Sequence, residues 1–268
     1  MTQLPESKTL DLDLAGGWLT IWLDRPEARN ALSAEMIGDL TGVLEAVRDD
    51  RAVRGITIRG RGETFCAGGD IKGFRAVFQG GDQSEADVAA ASRRGGRLFG
   101  LIDSAPQVVV MLVEGAAVAG GLGMVCAGDL VVVTREARFA LTEVRLGIPP
   151  AQIAPYVVRR IGLAAARRIM LTASEFDGAG ARDLGIADFL ANDADELETI
   201  EAVIRADVLR CAPGAIAATK ELARAAMHLD AEAMTDLAAR RFAACMLGEE
   251  GREGIAAFIE KRKPAWTP

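Results

Sequence analysis

The sequence predicts an α/β fold whose C-terminal part is helical. Three features predict it: short β-like runs alternate with amphipathic segments, glycine-rich turns join them, and helical periodicity takes over from Asp193 onward. Half of the 268 residues are hydrophobic, so a large core can be buried. We expect residues 1–192 to form the core that carries the functional site, and residues 193–268 to form a helical region.

Strands and helices alternate in the first part of the chain. Short apolar or β-branched runs predict strands at Trp18–Leu23, Val53–Arg59, Val108–Val113 and Leu130–Thr134. Helical spacing predicts helices at Ser33–Arg48, capped by Ser33, at Gln83–Ser104 and at Ala119–Ala127.

The remainder of the chain shows only helical patterns. Pro213 and Gly248 punctuate it, and the helices are predicted at Glu196–Arg210, Pro213–Met227, Ala231–Leu247 and Glu249–Glu260. Such a region is hard to bury alone, so we expect it to take part in assembly.

Composition excludes several classes of function. With 38 acidic and 31 basic residues the net charge is −7, which argues against a general nucleic-acid binder. The apolar stretch from Val108 to Val133 contains Glu114 and Asp129, which favours buried strand over a membrane span. Residues 1–13 are polar and carry no signal-peptide pattern, so we expect a cytoplasmic protein without membrane or nucleic-acid partners.

Metal and nucleophile chemistry is not indicated. The four cysteines lie far apart without CxxC spacing, so no zinc site or disulfide framework is predicted. The single histidine, His228, lies in an alanine-rich helical stretch and is expected to be structural, which argues against a histidine-dependent triad.

Two glycine-rich turns carry the main functional signal. One is the segment FCAGGDIK at 65–72, and the other is GAAVAGG at 115–121. Each follows a β-like run and leads into a helix-like segment, so each can aim a backbone N–H at a common oxygen atom. The pair predicts an oxyanion hole.

Together with RPEARNAL at 25–32, these turns resemble the crotonase (enoyl-CoA hydratase/isomerase) superfamily, over nearly the whole chain. The resemblance implies a ββα spiral core with a helical C-terminal trimerisation region, and hence a homotrimer or a dimer of trimers. It also implies that the N–H groups of Gly69 and Gly120 hold a thioester oxygen. No metal or redox cofactor is implied, because the thioester itself makes the α-carbon acidic.

Glu143, in the segment FALTEVRLGI, resembles the family glutamate that exchanges a proton with the substrate. An apolar setting would raise its pKa and suit it to proton transfer. A second glutamate of well-known hydratases is replaced by Gly123, which also fits an enoyl-CoA Δ3,Δ2-isomerase with Glu143 as the single base. Ala151 stands where dienoyl-CoA isomerases have an aspartate, which disfavours that subclass.

The segment from Leu146 to Arg160 resembles bacterial methylglutaconyl-CoA and isohexenylglutaconyl-CoA hydratases. We therefore expect an enoyl-CoA hydratase that adds water to the 2,3-double bond of a branched enoyl-CoA. Lys72, Arg75 or Arg145 could pair with the free carboxylate of a glutaconyl group.

The resemblance also implies which residues contact coenzyme A, which is part of the substrate and not a separate cofactor. They are Ala28, Ala67, Asp70, Ile71, Phe258 and Lys261.

One class of protein other than an enzyme stays open. A non-catalytic acyl-CoA or RNA-binding relative would keep the fold without the chemistry. A dinucleotide fold is disfavoured, because the GxG at 121–123 ends in Cys126 where a third glycine belongs.

Overall fold

A computed structural model describes residues 3–70 and 84–267 of the chain. The predicted roles of Ile71, Lys72 and Arg75 therefore lie outside the described residues.

Strands and helices alternate up to β9, and helices follow. The strands are β1 (Leu10–Ala15), β2 (Trp18–Leu23), β3 (Gly55–Gly60), β4 (Val108–Val113), β5 (Ala116–Val118), β6 (Leu130–Thr134), β7 (Arg138–Ala140), β8 (Phe176–Asp177) and β9 (Phe189–Ala191). The helices are α1 (Ala34–Val47), α2 (Glu85–Ser104), α3 (Gly120–Ala127), α4 (Ala154–Thr172), α5 (Gly178–Asp183), α6 (Ala194–Leu209), α7 (Pro213–Ala225), α8 (Ala231–Leu247) and α9 (Glu249–Ile259).

The strands form two sheets. The larger has the order β1-β2-β3-β4-β6-β9, in which β1 and β2 are antiparallel and every later pair is parallel. The smaller has the order β5-β7-β8, and its β5 and β7 are parallel. Strand β5 begins two residues after β4 but belongs to the smaller sheet, so the second glycine turn lies outside the larger sheet.

Both faces of the large sheet are covered, as its parallel strands require. In β4, Val109, Met111 and Val113 belong to the main core with α1, α2 and α3, whereas Val110 and Leu112 belong to a second cluster. Helix α6 covers that second face with Leu197, Ile204 and Val208, which form one buried cluster with Trp18 and Val132. Side chains on β4 therefore alternate between two apolar layers.

The α/β core and the C-terminal helices agree with the sequence prediction, and most boundaries fall within two residues. Ser33 caps α1 as expected, since its hydroxyl accepts a hydrogen bond from the N–H of Met36. Strand β3 begins two residues later than predicted, because Val53 closes a turn on Asp50 and donates to its carbonyl. Strand β1 and helix α4 were not predicted.

Among the described residues, those from Ala194 to Trp266 contain helices and turns but no strand. Helix α6 packs on the sheet, while α7, α8 and α9 pack mainly on one another. The division between residues 192 and 193 remains a prediction. None of the helices that the structure describes is long and apolar enough to cross a membrane.

Candidate active site

The first glycine turn lies against the turn at 25–32. The N–H of Leu32 donates to the carbonyl of Gly68 over 2.8 Å, and the N–H of Ala67 donates to the carbonyl of Arg29 over 3.0 Å. The fully buried Asn30 stabilises this arrangement, because its side chain accepts one backbone hydrogen bond and donates two others. Hydrogen bonds thus hold the turn at 25–32 and the first glycine turn together.

The second glycine turn is joined to the first by backbone hydrogen bonds. The N–H of Cys66 donates to the carbonyl of Ala116, and the N–H of Val118 donates to the carbonyl of Cys66. Helix α3 begins directly afterwards, at Gly120. Burial raises the pKa of Cys66 to about 12, so this thiol stays protonated and serves the packing.

The N–H groups of Gly69 and Gly120 come close together. A Cβ atom placed on Gly120 would lie 3.8 Å from the nitrogen of Gly69. The neighbours of Gly69 use their polar groups on Leu32, so by the alternation of an extended chain the N–H of Gly69 points the other way. Within residues 3–70 and 84–267, neither of the two N–H groups donates a hydrogen bond. Two partly exposed donors at one place are what an oxyanion hole requires.

Glu143 lies on the chain that leaves β7 beside this pair. The carbonyl of Ala140 accepts the N–H of Ala119 over 2.8 Å, and three residues later Glu143 opens a 3-10 helix that runs to Leu146. Its Oε2 is buried and has no hydrogen-bond partner among the described residues. Burial raises the pKa of the Glu143 carboxyl above its ordinary value of 4.5. A half-buried carboxyl group with one unpaired oxygen suits proton transfer.

Gly123, one helical turn after Gly120, faces an apolar side chain. A Cβ atom on Gly123 would lie 2.2 Å from Cγ2 of Ile153, which is only 4% exposed. Positions 120 and 123 lie one turn apart on α3, so Ile153 packs on this helix one turn after the residue that carries the second N–H group. Sequence reasoning missed Ile153, because 30 residues separate it from Gly123 and no local motif marks it.

The remaining predicted residues fall into two groups. Ala28 and Ala67 lie in the turns that hydrogen bonds join, and the N–H of Asp70 donates to the carbonyl of Leu32 over 3.3 Å. Phe258 lies in the last turn of α9, which packs mainly on α8, and Lys261 follows the end of that helix. The side chain of Phe258 is 85% exposed, so in this single chain it is not enclosed in the site.

Arg145, one of three predicted partners for a substrate carboxylate, has partners of its own. Its guanidinium donates to Glu175 over 3.0 Å and to the carbonyl of Ala173 over 2.7 Å. In the described ranges, no group of three or more His, Cys, Asp or Glu side chains is arranged to hold a metal ion.

Residues 14–268 match the family described as Enoyl-CoA hydratase/isomerase. Among solved structures, Pseudomonas aeruginosa AtuE is 46% identical, with a TM-score of 0.94, over 97% of this chain and 100% of that one. Enoyl-CoA hydratase ACTT6 of Alternaria alternata is 31% identical over 90% of this chain and 78% of its own length. Carnitinyl-CoA dehydratase of Proteus mirabilis is 32% identical over 97% of this chain and 98% of its own.

These matches extend over the α/β core and the C-terminal helices alike, and they confirm the predicted fold and superfamily. They do not decide between the subfamilies that the sequence suggested, since the named relatives differ in substrate. The chain therefore belongs to the enoyl-CoA hydratase/isomerase family, and it is an enzyme of the enoyl-CoA hydratase type.

Proposed function

We propose that this hydratase adds water to the 2,3-double bond of a branched 2-enoyl-CoA, of the 3-methylglutaconyl or isohexenylglutaconyl type. The observation that carries the reaction is the close approach of the unpartnered N–H groups of Gly69 and Gly120, next to the strand whose chain leads on to Glu143 and its buried, unpaired Oε2. One relative is named for hydration and another for dehydration of a CoA ester, so both names describe the same addition or loss of water.

In the proposed reaction Glu143 takes a proton from water, and the hydroxyl oxygen forms a bond to C3 of the acyl group. The electrons of the C2=C3 bond move to the thioester oxygen, which gains negative charge. The N–H groups of Gly69 and Gly120 stabilise this enolate. Glu143 then returns the proton to C2, which gives a 3-hydroxyacyl-CoA. The same carboxyl group serves twice, because the proton that it takes from water is the proton that it returns to C2.

The buried apolar side chain of Ile153 supports a branched apolar acyl chain. It packs against Gly123, which offers no side chain one helical turn after Gly120. The substrate carboxylate of a glutaconyl ester would pair with Lys72 or Arg75, since Arg145 already binds Glu175. Arg is suited to bidentate recognition of a carboxylate.

A second candidate is a Δ3,Δ2-enoyl-CoA isomerase. Gly123 supplies no second carboxylate, and Ile153 fills the space beside it. A single base is enough to move a proton between two carbon atoms, and in this candidate Glu143 does so without water.

For the CoA moiety we propose Ala28, Ala67, Asp70 and Ile71 along one chain, with Phe258 and Lys261 completing the site in a homotrimer or a dimer of trimers. The exposed position of Phe258 supports a role at a boundary between copies. The proposal needs no metal or redox cofactor, and it assigns the enzyme to the cytoplasm, without nucleic-acid or membrane partners.

The test is mass spectrometry of products from 3-methylglutaconyl-CoA, an isohexenylglutaconyl ester, crotonyl-CoA and a 3-enoyl-CoA. Gain of one water with a glutaconyl ester supports hydration, and the relative rates give the chain preference. Turnover only to an isomer of unchanged mass supports the second candidate. Binding of the esters without any turnover overturns both and leaves a silent acyl-CoA-binding relative.

Substitution of Glu143 tests its role. Glu143→Gln should lower kcat by roughly 10²–10⁴, the usual contribution of a general acid–base group. Glu27→Gln is the control, since the Glu27 side chain is 73% exposed and should not affect kcat. Full turnover by Glu143→Gln would contradict the proposal.

A further inference from the structure

Ala119, the residue before the proposed oxyanion donor Gly120, has a strained backbone. Its φ is 51° and its ψ is −121°, a combination that a residue with a side chain rarely adopts. Ala173 also has positive φ, but its ψ of 36° places it in the ordinary left-handed region. Outliers of the first kind persist only where the surrounding structure holds them, and they concentrate at functional sites.

Backbone hydrogen bonds hold Ala119 on both sides. Its N–H donates to the carbonyl of Ala140 over 2.8 Å, and its carbonyl accepts the N–H of Gly123 over 3.0 Å. The first of these bonds ties the start of α3 to the strand that leads to Glu143, and the second closes the first turn of α3. The backbone at position 119 therefore determines how the N–H of Gly120 is directed.

The methyl group of Ala119 lies against the other glycine turn. A Cβ atom on Gly68 would lie 2.8 Å from Cβ of Ala119 and 3.4 Å from the nitrogen of Gly120. Gly68, with φ of 91°, comes directly before the second donor, Gly69. Contact between Ala119 and Gly68 thus sets the spacing between the two turns that carry the donors.

We propose that Ala119 is a positioning residue that fixes the direction and spacing of the two oxyanion donors. This role rests on the proposed function of Gly69 and Gly120. Glycine could adopt the same φ and ψ without strain, but it could also leave them freely, and it lacks the methyl group that touches Gly68. The N–H of Gly120 would then sample more directions, which weakens stabilisation of the enolate more than binding of the substrate.

The test compares Ala119→Gly with Ala173→Gly, which makes the same change at a residue with positive φ at the end of α4. Loss of one oxyanion donor costs roughly 10²–10³ in rate, so a poorly aimed donor should lower kcat about tenfold. KM should change by less than about twofold, because uniform binding is retained. The Tm of Ala119→Gly should stay the same or rise as strain is relieved. Ala173→Gly should leave kcat unchanged.

A spectroscopic probe separates this role from the reaction itself. Bound 4-aminocinnamoyl-CoA should absorb at longer wavelength in the wild-type protein, because hydrogen bonds to the carbonyl oxygen stabilise its charge-separated excited state. Ala119→Gly should show a smaller shift at unchanged affinity. If no ester is hydrated but this difference appears, the proposed reaction fails and the positioning role holds.

Two results overturn the positioning role. One is an active wild type with an Ala119→Gly variant of equal kcat and equal spectral shift. The other is a lower Tm for that variant with kcat and KM changed together, which would make Ala119 a purely structural residue.

Discussion

Glu143 carries a carboxyl group that the fold does not satisfy. Its Oε2 is buried without a partner among the described residues, and burial raises the pKa of this group. A glutamate whose folded-state pKa lies above its unfolded-state pKa reduces stability once the pH exceeds both values. The charged form is therefore held at a cost in folding, which is typical of a residue kept for chemistry.

The raised pKa of Glu143 predicts the pH dependence of the reaction. The proposed base acts as a carboxylate, so kcat/KM should fall as the pH drops through its pKa, at a pH above the ordinary 4.5 of glutamate. A pH series of initial hydration rates measures this. Glu27→Gln should leave the midpoint in place. A midpoint at or below 4.5 would show that burial does not raise the pKa of the base.

The residues of the candidate site differ in how far the sequence could predict them. The donor roles of Gly69 and Gly120 remain a prediction, but the two glycine turns themselves were predictable because each is a local sequence pattern. The packing of Ile153 against Gly123 was not, because it depends on how α4 docks on α3, and the sequence indicates only that Gly123 lacks a side chain. The strained backbone of Ala119 is likewise held by a hydrogen bond to Ala140 on β7, which is distant in the sequence.

Helix α7 is attached to the sheet by a buried ion pair. The ammonium group of Lys220 donates to Oδ2 of Asp129 over 2.5 Å and to the carbonyl of Gln107 over 2.6 Å. Asp129 also accepts the N–H of Val109 at the start of β4. Burial raises the pKa of Asp129 and lowers the pKa of Lys220, so each group depends on the other's charge to stay ionised.

Lys220→Met should therefore destabilise the fold. It leaves the Asp129 carboxylate largely buried without a cation, a change that costs about 3 kcal/mol in free energy of unfolding. Urea unfolding followed by circular dichroism measures the change. The double variant Lys220→Met/Asp129→Asn should lose less, because no unpaired charge remains. A single variant as stable as the wild type would show that the pair does not hold α7.

At the level of elements, most of the long segments were predictable, whereas β1, α4 and the shortest strands were not. The apolar run of β4 and the Ser33 cap of α1 carry clear local signals. Strands β5, β7 and β8 have three residues or fewer, too few to show a period. Helix α4 begins with Pro155 at its second position and is kinked at Gly162, where φ is 75°, so its sequence pattern is interrupted.

The C-terminal helices leave apolar surface uncovered in the single chain. Ile255, Phe258 and Ile259 share one face of α9 and are exposed, and Phe242 on α8 is 68% exposed. Apolar side chains exposed together on one face of a folded chain usually mark an interface. The proposed trimer or dimer of trimers would cover it.

The assembly should therefore depend on this apolar surface. We expect the wild-type protein to have three or six times the chain mass of 28.3 kDa, measured by light scattering after size-exclusion chromatography. Phe242→Glu should shift the protein to smaller species, because it places a charge where apolar contact is expected. If Phe258 completes the CoA site of a neighbouring copy, the smaller species should also have a higher KM.

Arg240→Glu provides the matched control on the same helix. Residues that are two positions apart in an α-helix are separated by about 200° around its axis, so Arg240 faces away from Phe242. This variant introduces the same acidic side chain without touching the apolar face, and it should keep the wild-type mass and KM. Loss of assembly in both variants would point to charge rather than apolar burial, whereas an unchanged mass for Phe242→Glu would place the interface on another surface of the chain.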